Sequence, residues 1–175
     1  RGLFAAYIHE SKSEIGENVV IIGGGSVGCE TAIYLAQQGK NPVVLEMQGD
    51  YMADAGMSQR IYTDIAMEEY KIKPFLNMKV ERITPNSVVA LNKDGKQQTF
   101  KADTVLFATG MRPLEETRED LRKFASEFIP IGDCVKPARI MDATSAAYAA
   151  AMCGNEVSLY EKNEKLGKKV YITGK

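Results

Sequence analysis

The sequence predicts an α/β fold built on a parallel β-sheet, and three observations support this. Residues 19–46 place an apolar strand, a glycine-rich turn, a helix-patterned run and a second apolar strand one after another. The hydrophobic period then changes from helical to alternating over residues 72–100. Finally, residues 154–161 repeat the spacing of residues 39–46, with a glycine and a glutamate framing a strand.

The segment 19–46 has the pattern of a dinucleotide-binding βαβ unit. Four consecutive β-branched residues at positions 19–22 predict a buried parallel strand. The sequence Gly-Gly-Gly-Ser-Val-Gly follows at positions 23–28, and a helix continues to about Gln38 and stops at Gly39. The second strand, residues 42–46, ends in an acid. The order of these elements favours nucleotide binding over an ordinary glycine-rich turn.

Each residue type in this turn has a distinct physical use. Gly23 permits the turn, Gly25 lets the backbone approach a pyrophosphate, and Gly28 lets the helix lie close to the sheet. The N–H groups of the helix that begins near Ser26 would face the phosphates. Glu46 lies where a carboxylate accepts hydrogen bonds from an adenosine ribose, which favours NADH over NADPH. The pattern leaves open whether the ligand is NAD or the adenine half of a flavin.

Composition narrows the function classes. The chain has 175 residues, of which 45% are hydrophobic and 26% charged, and a formal net charge of −1. This charge balance offers nothing to attract nucleic acid or an anionic membrane. The chain begins with arginine and lacks the pattern of a secretory signal, so we expect a piece of a longer cytoplasmic protein.

The cysteines and the single histidine argue against metal and disulfide chemistry. Cys29, Cys134 and Cys153 form no C-x-x-C pair and are expected to be small apolar fillers in a reducing compartment. His9 is expected to be a surface residue. One histidine and scattered cysteines cannot supply the ligand spacing of a metal site.

The middle of the chain predicts a helix and then a meander. Met57, Ile61 and Ile65 recur at four-residue spacing and indicate an amphipathic helix to about Tyr70. Core filling is the favoured explanation of the three methionines at positions 47, 52 and 57. Short strands are expected at residues 73–76, 79–83, 87–91 and 97–100.

An apolar strand follows at residues 104–110 and ends in Thr109-Gly110, beside the expected nucleotide edge. Beyond it the sequence predicts a charged helix over residues 115–126 and a short strand over 129–134. An alanine-rich helix over 142–153 and a strand over 156–161 complete the chain.

The repeat at residues 154–161 indicates an incomplete copy of the first unit. A shift of 115 positions from Gly23, Gly25 and Gly28 reaches two alanines and an isoleucine, so the copy lacks a phosphate loop. The predicted fold class is therefore a Rossmann-like parallel sheet with an antiparallel β-meander crossover, plus a partial second nucleotide-binding unit.

Three ordered motifs carry a family resemblance. GGGSVGCE at 23–30, ATGMRP at 108–113 and IGDCVKP at 131–137 together resemble the two-dinucleotide-binding flavoproteins. More narrowly, they are similar to the C-terminal region of NADH:flavin oxidoreductases of the Old Yellow Enzyme and 2,4-dienoyl-CoA reductase type. The resemblance covers residues 15–150.

The resemblance implies an electron path through several groups. In that family an NAD(P)H domain is inserted into a FAD domain, and both follow a flavin-bearing β/α barrel. Hydride would pass from NADH to FAD, and electrons would continue through an iron–sulfur cluster to FMN and an unsaturated substrate of the enoate or enoyl-CoA type. This chain has no barrel or cluster-binding cysteine array, and it lacks the glycine motif of the FAD domain.

The resemblance also implies site residues. Glu46 would bind the NAD ribose, Gly110 and Met111 would line the nicotinamide side, and Asp133 would bind FAD. Glu30 matches an acid near the nicotinamide, with an ordinary first-turn helix acid as an equal alternative. The NAD pyrophosphate would be bound by Gly23, Gly25, Ser26, Val27 and Gly28.

These inferences predict a lead-in at residues 1–16, an NAD(P)H-binding domain at 17–112 and a partial FAD-binding segment at 113–175. The last segment is unusual because residues 154–167 resemble a FAD-domain strand that precedes the NAD domain in the family. Alone, the chain is expected to bind NADH without turnover and to have lost most of its FAD site. Its partners would be a nicotinamide nucleotide, the barrel domain and possible further copies of itself.

Two other functions remain open. The first is a non-catalytic module. Its nucleotide-binding fold would serve regulation or assembly, and its alanine-rich tail would dock on a partner chain. A disulfide reductase of the glutathione-reductase type would require paired redox cysteines, which this sequence lacks.

Overall fold

A computed structural model describes residues 15–124 and 127–152. The chain divides into two compact units, one ending at Gly110 and the other beginning at Met111, and each is described separately. The single histidine, Cys153 and the predicted strand at 156–161 lie outside the described residues. The first unit contains β1 (Asn18–Ile22), α1 (Ser26–Gln37), β2 (Asn41–Leu45), α2 (Met57–Glu69), β3 (Lys79–Thr84), β4 (Ser87–Leu91), β5 (Gln97–Lys101) and β6 (Thr104–Phe107).

A three-stranded parallel sheet of order β2-β1-β6 forms the centre of the first unit. Ile21 of β1 pairs with Val44 of β2 on one side and with Leu106 of β6 on the other. Because a parallel strand between two neighbours is covered on both faces, β1 needs a continuous apolar run, and Val19 and Val20 are also fully buried. The predicted Rossmann-like α/β fold is confirmed.

Helix α1 connects β1 to β2 and packs on the sheet. Its buried residues include Cys29, Ala32 and Leu35, which share one face of the helix. The helix ends at Gln37, and Gly39 takes the left-handed conformation with φ +74°. The Gly39 N–H donates to a carbonyl of the last turn, so glycine ends the helix as the sequence predicts.

Strands β3, β4 and β5 form the predicted antiparallel meander, with a register shift in β3 between Val80 and Arg82. The strand predicted at residues 73–76 is wrong: only one isolated parallel bridge forms, between Phe75 and Leu45. Pro74 has no N–H to donate to a ladder, and Asn77 turns the chain away with φ +55°.

Helix α2 confirms the predicted helix but buries the opposite face. Thr63 and Met67 enter the core, whereas Ile61 and Ile65 are 53% and 59% exposed. Positions two residues apart lie about 200° apart around a helix, so burial of the first pair turns the second pair outward. The core-filling explanation of the methionines holds for Met52 and is wrong for the other two, which are exposed.

The second unit contains α3 (Glu115–Arg122), a 3₁₀ turn (Gly132–Cys134) and α4 (Ile140–Met152). The predicted strand at 129–134 is wrong, since Gly132 has φ +69° and its carbonyl accepts the N–H groups of Val135 and Lys136. These contacts close a turn rather than extend a strand. Cys134 is exposed, so the apolar-filler interpretation is wrong at that position. Among the helices of the described residues, none has the length and apolar character needed to cross a bilayer.

We predict that Gly28→Ala strongly destabilises the first unit. A Cβ at position 28 would overlap the backbone carbonyl oxygen of Gly23, and only a backbone shift could relieve the overlap. The expected loss is about 2–3 kcal/mol in the free energy of unfolding, measured by urea denaturation. Gly56→Ala is the matched control, because position 56 has φ −71° and no atom within 4 Å of its Cβ position. Equal stability of the two variants would contradict the prediction.

Candidate nucleotide-binding site

The glycine turn is held where the three parallel strands end. Gly23 has φ +112°, and its N–H donates to the Leu45 carbonyl at 2.9 Å. A Cβ on Gly23 would overlap the carbonyl oxygen of Ala108, just beyond β6. Glycine is therefore required at position 23 both for its backbone conformation and for the close approach of two chain segments.

Gly25 differs from Gly23 and Gly28 because the folded chain leaves room for a side chain there. Its backbone is extended, with φ −71°, and it is the N-cap residue of α1. A Cβ would meet only the carboxylate of Asp54, at 3.4 Å, which is ordinary contact with a flexible side chain. Nothing in the packing demands glycine at this position, so its open space is available to a ligand.

The N-terminus of α1 presents backbone donors beside this space. The first intrahelical bond runs from the Cys29 N–H to the Gly25 carbonyl, so the N–H groups of residues 26–28 precede it. The first turn of the helix contains no acidic side chain, so the alternative that Glu30 is a first-turn acid is wrong: Glu30 lies in the second turn. The positive dipole end of the helix and its donors can therefore hold an anion.

The Glu46 carboxylate lies against the same turn and is anchored through both oxygens. The Gly24 N–H donates to Oε2 at 2.6 Å, and the Gln48 N–H donates to Oε1 at 2.7 Å. These bonds fix the orientation of a carboxylate at the end of β2. Because each oxygen has a second lone pair, the group can still accept hydrogen bonds from ligand hydroxyls.

Residues 47–56, here called the β2–α2 loop, cover the glycine turn. Met52 is fully buried with φ +53°, and its N–H donates to the Gly24 carbonyl at 2.7 Å. Asp54 continues over the turn and accepts the Ser26 N–H through Oδ1 at 2.9 Å. A carboxylate of the chain itself thus lies at the N-terminus of α1.

Polar contacts tie this loop to α2. Arg60 donates to both oxygens of Asp50, at 2.6 and 2.8 Å, and lies over the ring of Tyr51. The hydrogen bonds from Arg60 hold the pKa of Asp50 below its usual value. The Tyr51 hydroxyl donates to Asp64 at 2.7 Å, and that contact raises the pKa of Tyr51.

Cys29 lies beneath the glycine turn, with its Sγ 3.5 Å from the Gly24 carbonyl oxygen. Burial is the larger cause and the charges of nearby carboxylates, Asp54 first among them, the smaller; together they raise the pKa of the Cys29 thiol to about 12. The thiol is therefore neutral at physiological pH and unsuited to nucleophilic or redox chemistry.

The predicted site residues of the first unit converge at one end of the sheet. Glu30 accepts a hydrogen bond from Gln59 at 2.9 Å, which connects α1 to α2. Val27 is partly exposed, and Gly110 follows β6 with φ +82°. Within the turn, Gly24 contacts Glu46 directly, and the predicted residues Gly23, Gly25, Ser26 and Gly28 lie in the same segment of the chain.

The other two predicted residues, Met111 and Asp133, belong to the second unit. Met111 is exposed, and Asp133 accepts the Ala138 N–H at 3.4 Å. Asp133, Arg139 and Thr144 line an open surface cavity of about 370 Å³ within that unit. Across residues 15–124 and 127–152, no group of three or more potential ligands could hold a metal ion.

Sequence reasoning missed two site residues, Asp54 and Gln59. Asp54 contacts the turn only because Met52 takes a left-handed backbone conformation that no periodicity signals. Gln59 lies on the exposed side of α2, which hydrophobic spacing does not orient. The acid-containing loop immediately after the second strand was the one available signal for Asp54.

Comparison with known proteins identifies a family and several relatives that match most of the chain. The family model described as pyridine nucleotide-disulphide oxidoreductase matches residues 5–129. NADH oxidase of Thermoanaerobacter brockii is 35% identical over 136 residues, covering 77% of this chain and 21% of that protein. Cinnamate reductase of Clostridium sporogenes is 32% identical over 143 residues, covering 80% and 21%. The chain thus spans about a fifth of these relatives.

A solved structure has the same fold. The structure of 2-naphthoyl-CoA reductase in complex with 2-naphthoyl-CoA aligns with a TM-score of 0.70 and 28% sequence identity. The alignment covers 85% of this chain and 22% of that chain. The similarity therefore extends over most of the described residues.

We predict that Cys29 resists alkylation in the folded chain while Cys134 reacts. Because the Cys29 pKa is raised to about 12, its thiolate stays scarce as the pH rises from 7 to 9. The expected iodoacetamide rate is at least about 100-fold lower at Cys29 than at the exposed Cys134, measured by peptide mapping. Guanidinium chloride is the control and should equalise the two rates. Equal rates in native protein would contradict the burial of this thiol.

Proposed function

The chain belongs to the pyridine nucleotide-disulphide oxidoreductase family, and from that membership we propose that its first unit is the NADH-binding domain of a flavin-dependent oxidoreductase. In the intact enzyme this domain would deliver hydride from NADH to FAD. The proposal places the NAD(P)H-binding domain at residues 17–112 and a partial FAD-binding segment at 113–175. The isolated chain would bind NADH without turnover, since hydride transfer needs an acceptor held within about 3.5 Å.

One observation carries this proposal: the space over Gly25 is open while Gly23 and Gly28 are sterically required. Gly23 and Gly28 are explained by the packing of the chain itself. Gly25 is not, and it lies at the N-terminus of a helix beside the anchored carboxylate of Glu46. A pyrophosphate over Gly25 and Ser26, with its ribose on Glu46, accounts for all of these features.

Glu46 supports a preference for NADH over NADPH. Its two oxygens are fixed by the backbone N–H groups of Gly24 and Gln48, so the carboxylate cannot easily turn away from a ligand. A ribose with free hydroxyls can donate to it. A 2′-phosphate would instead bring a second negative charge to the same position.

The remaining site residues are assigned by the resemblance. Glu30 would lie near the nicotinamide, where Gln59 would hold its orientation through the 2.9 Å hydrogen bond. Gly110 and Met111 would line the nicotinamide side. Asp133 would bind FAD, and its place at an open cavity of the second unit supports that role. These positions are proposals for the intact enzyme.

The proposed substrate class is an unsaturated carboxylate or acyl-CoA. Its support is the similarity to cinnamate reductase and to 2-naphthoyl-CoA reductase. The FMN, the iron–sulfur cluster and the substrate would be held by a β/α barrel outside this sequence. Disulphide chemistry, which the family description includes, is disfavoured because Cys29, Cys134 and Cys153 form no C-x-x-C pair.

We predict that Gly25→Ala weakens NADH binding without unfolding the chain. The new Cβ would occupy the space proposed for the pyrophosphate, so the Kd for NADH should rise at least about 10-fold in isothermal titration. The melting temperature should stay near that of the wild type, since the Cβ meets only a flexible side chain.

The wild-type chain should also be titrated with NADPH and FAD. Tighter binding of FAD than of either nicotinamide nucleotide would overturn the assignment of this site to NADH. Gly56→Ala serves as the control for a glycine-to-alanine change outside the glycine turn, at a position with no atom within 4 Å of its Cβ, and should retain wild-type affinity.

We predict that Glu46→Gln reduces the preference of the chain for NADH over NADPH. Glutamine keeps an acceptor for one of the two anchoring N–H groups but removes the charge that opposes a 2′-phosphate. The ratio of the Kd for NADPH to that for NADH should fall about 10-fold. An unchanged ratio would show that Glu46 does not face the ribose.

A further inference from the structure

The carboxylate of Asp54 occupies the position where the phosphate of the proposed nucleotide ligand would bind. Its Oδ1 accepts the Ser26 N–H at 2.9 Å and lies 3.4 Å from the Cβ position of Gly25. These two distances place the Asp54 Oδ1 atom over the Gly25–Ser26 segment. The first turn of α1 has no acidic residue of its own, so the negative charge at this helix end comes from the β2–α2 loop.

The loop is anchored on both sides of Asp54, but Asp54 itself is exposed. On the N-terminal side, Met52 is buried and bonded to the glycine turn, and Asp50 is paired with Arg60. On the C-terminal side, α2 begins at Met57, after a Gly56 with open space around it. Because Asp54 is exposed, solvent is available into which its side chain can rotate away from the Ser26 N–H while Met52 and Asp50 keep the loop in place.

We propose that Asp54 is an affinity-determining residue that acts as an internal substitute for the nucleotide phosphate. In the free chain its carboxylate occupies the helix N-terminus, and NADH binding displaces it. This inference rests on the proposed NADH site. A diphosphate and a carboxylate cannot share one helix N-terminus without strong repulsion, so the ligand must replace the Asp54–Ser26 bond before it gains its own.

The energetic consequence is a weakened nucleotide affinity in the wild-type chain. The interaction of a carboxylate with a helix N-terminus is of a size that corresponds to about 2–30-fold in an equilibrium constant. When NADH binds, the interaction between Asp54 and the helix N-terminus is lost. The displaced carboxylate also remains close enough to repel the phosphates of NADH. The Asp54 carboxylate thus lowers affinity for every ligand that carries phosphate at this position, whichever base it bears.

The test is isothermal titration of NADH into Asp54→Asn. Asparagine retains an oxygen that can accept the Ser26 N–H but has no charge, and the Kd should fall about 3–10-fold. The gain should shrink as sodium chloride is raised, because salt screens the repulsion that the substitution removes. Asp54→Ser also lacks the charge and should bind NADH more tightly than wild type. This second variant shows whether the gain in affinity is specific to asparagine.

Asp94→Asn is the matched control. Asp94 is exposed in the turn between β4 and β5, within the meander, and the substitution makes the same change in net charge. It should leave the Kd for NADH at the wild-type value. A gain of equal size in Asp94→Asn would mean that overall charge, and not the place of Asp54, controls affinity, and would overturn the inference.

The outcomes separate the two proposals. If wild type binds NADH and both Asp54 variants bind it no more tightly, the inference fails and the proposed function stands. Asp54 would then act only as a cap of the helix N-terminus. Its replacement would lower the melting temperature and leave the Kd for NADH unchanged. If wild type, Asp94→Asn and Asp54→Asn all fail to bind NADH, the proposed function fails and the inference fails with it.

Discussion

The first unit depends on a backbone crossing at Gly28, where no side chain separates α1 from the carbonyl oxygen of Gly23. This contact lets the helix begin directly at the carboxyl end of β1. A second close approach, between Gly23 and Ala108, brings the end of β6 to the same point. Three chain segments therefore meet through backbone atoms alone. The same arrangement turns the first N–H groups of α1 toward the open space over Gly25.

Stability and binding are separable among these glycines because their surroundings differ. Gly23 and Gly28 are fixed by contacts within the chain, and replacing either one perturbs the sheet. A Cβ at Gly25 would meet only the exposed carboxylate of Asp54, at an ordinary contact distance. Two carboxylates flank the turn with different roles: Glu46 is held by backbone donors at the end of a strand, whereas Asp54 is borne by a loop.

The sequence predicted those structural features that depend on neighbouring residues along the chain. The β-branched run at 19–22 and the glycine at position 39 fixed β1 and the end of α1, since both act through neighbouring residues. The apolar spacing of Ile61 and Ile65 revealed a helix but not its buried face, which is the face that contains Thr63 and Met67. At residues 129–134 the apolar run suggested a strand, although the positive φ of Gly132 closes a turn.

The same distinction applies to the candidate site. Glu46 could be located by counting, since a short helix and a strand fix its distance from the turn. Asp54 and Gln59 could not, because their positions depend on how Met52 docks against the turn and on which face of α2 is buried. Such contacts join residues about thirty positions apart and leave no periodic trace.

The order of strands also has a consequence for the synthesis of the chain. The central strand gains β2 as a neighbour early, but its other partner, β6, is 85 positions later. The meander between them pairs locally and can close first. Until residues 104–107 leave the ribosome, one edge of the most apolar strand remains an open template for pairing with another chain. The nascent domain is therefore protected against this kind of aggregation only when β6 pairs with the open edge of β1.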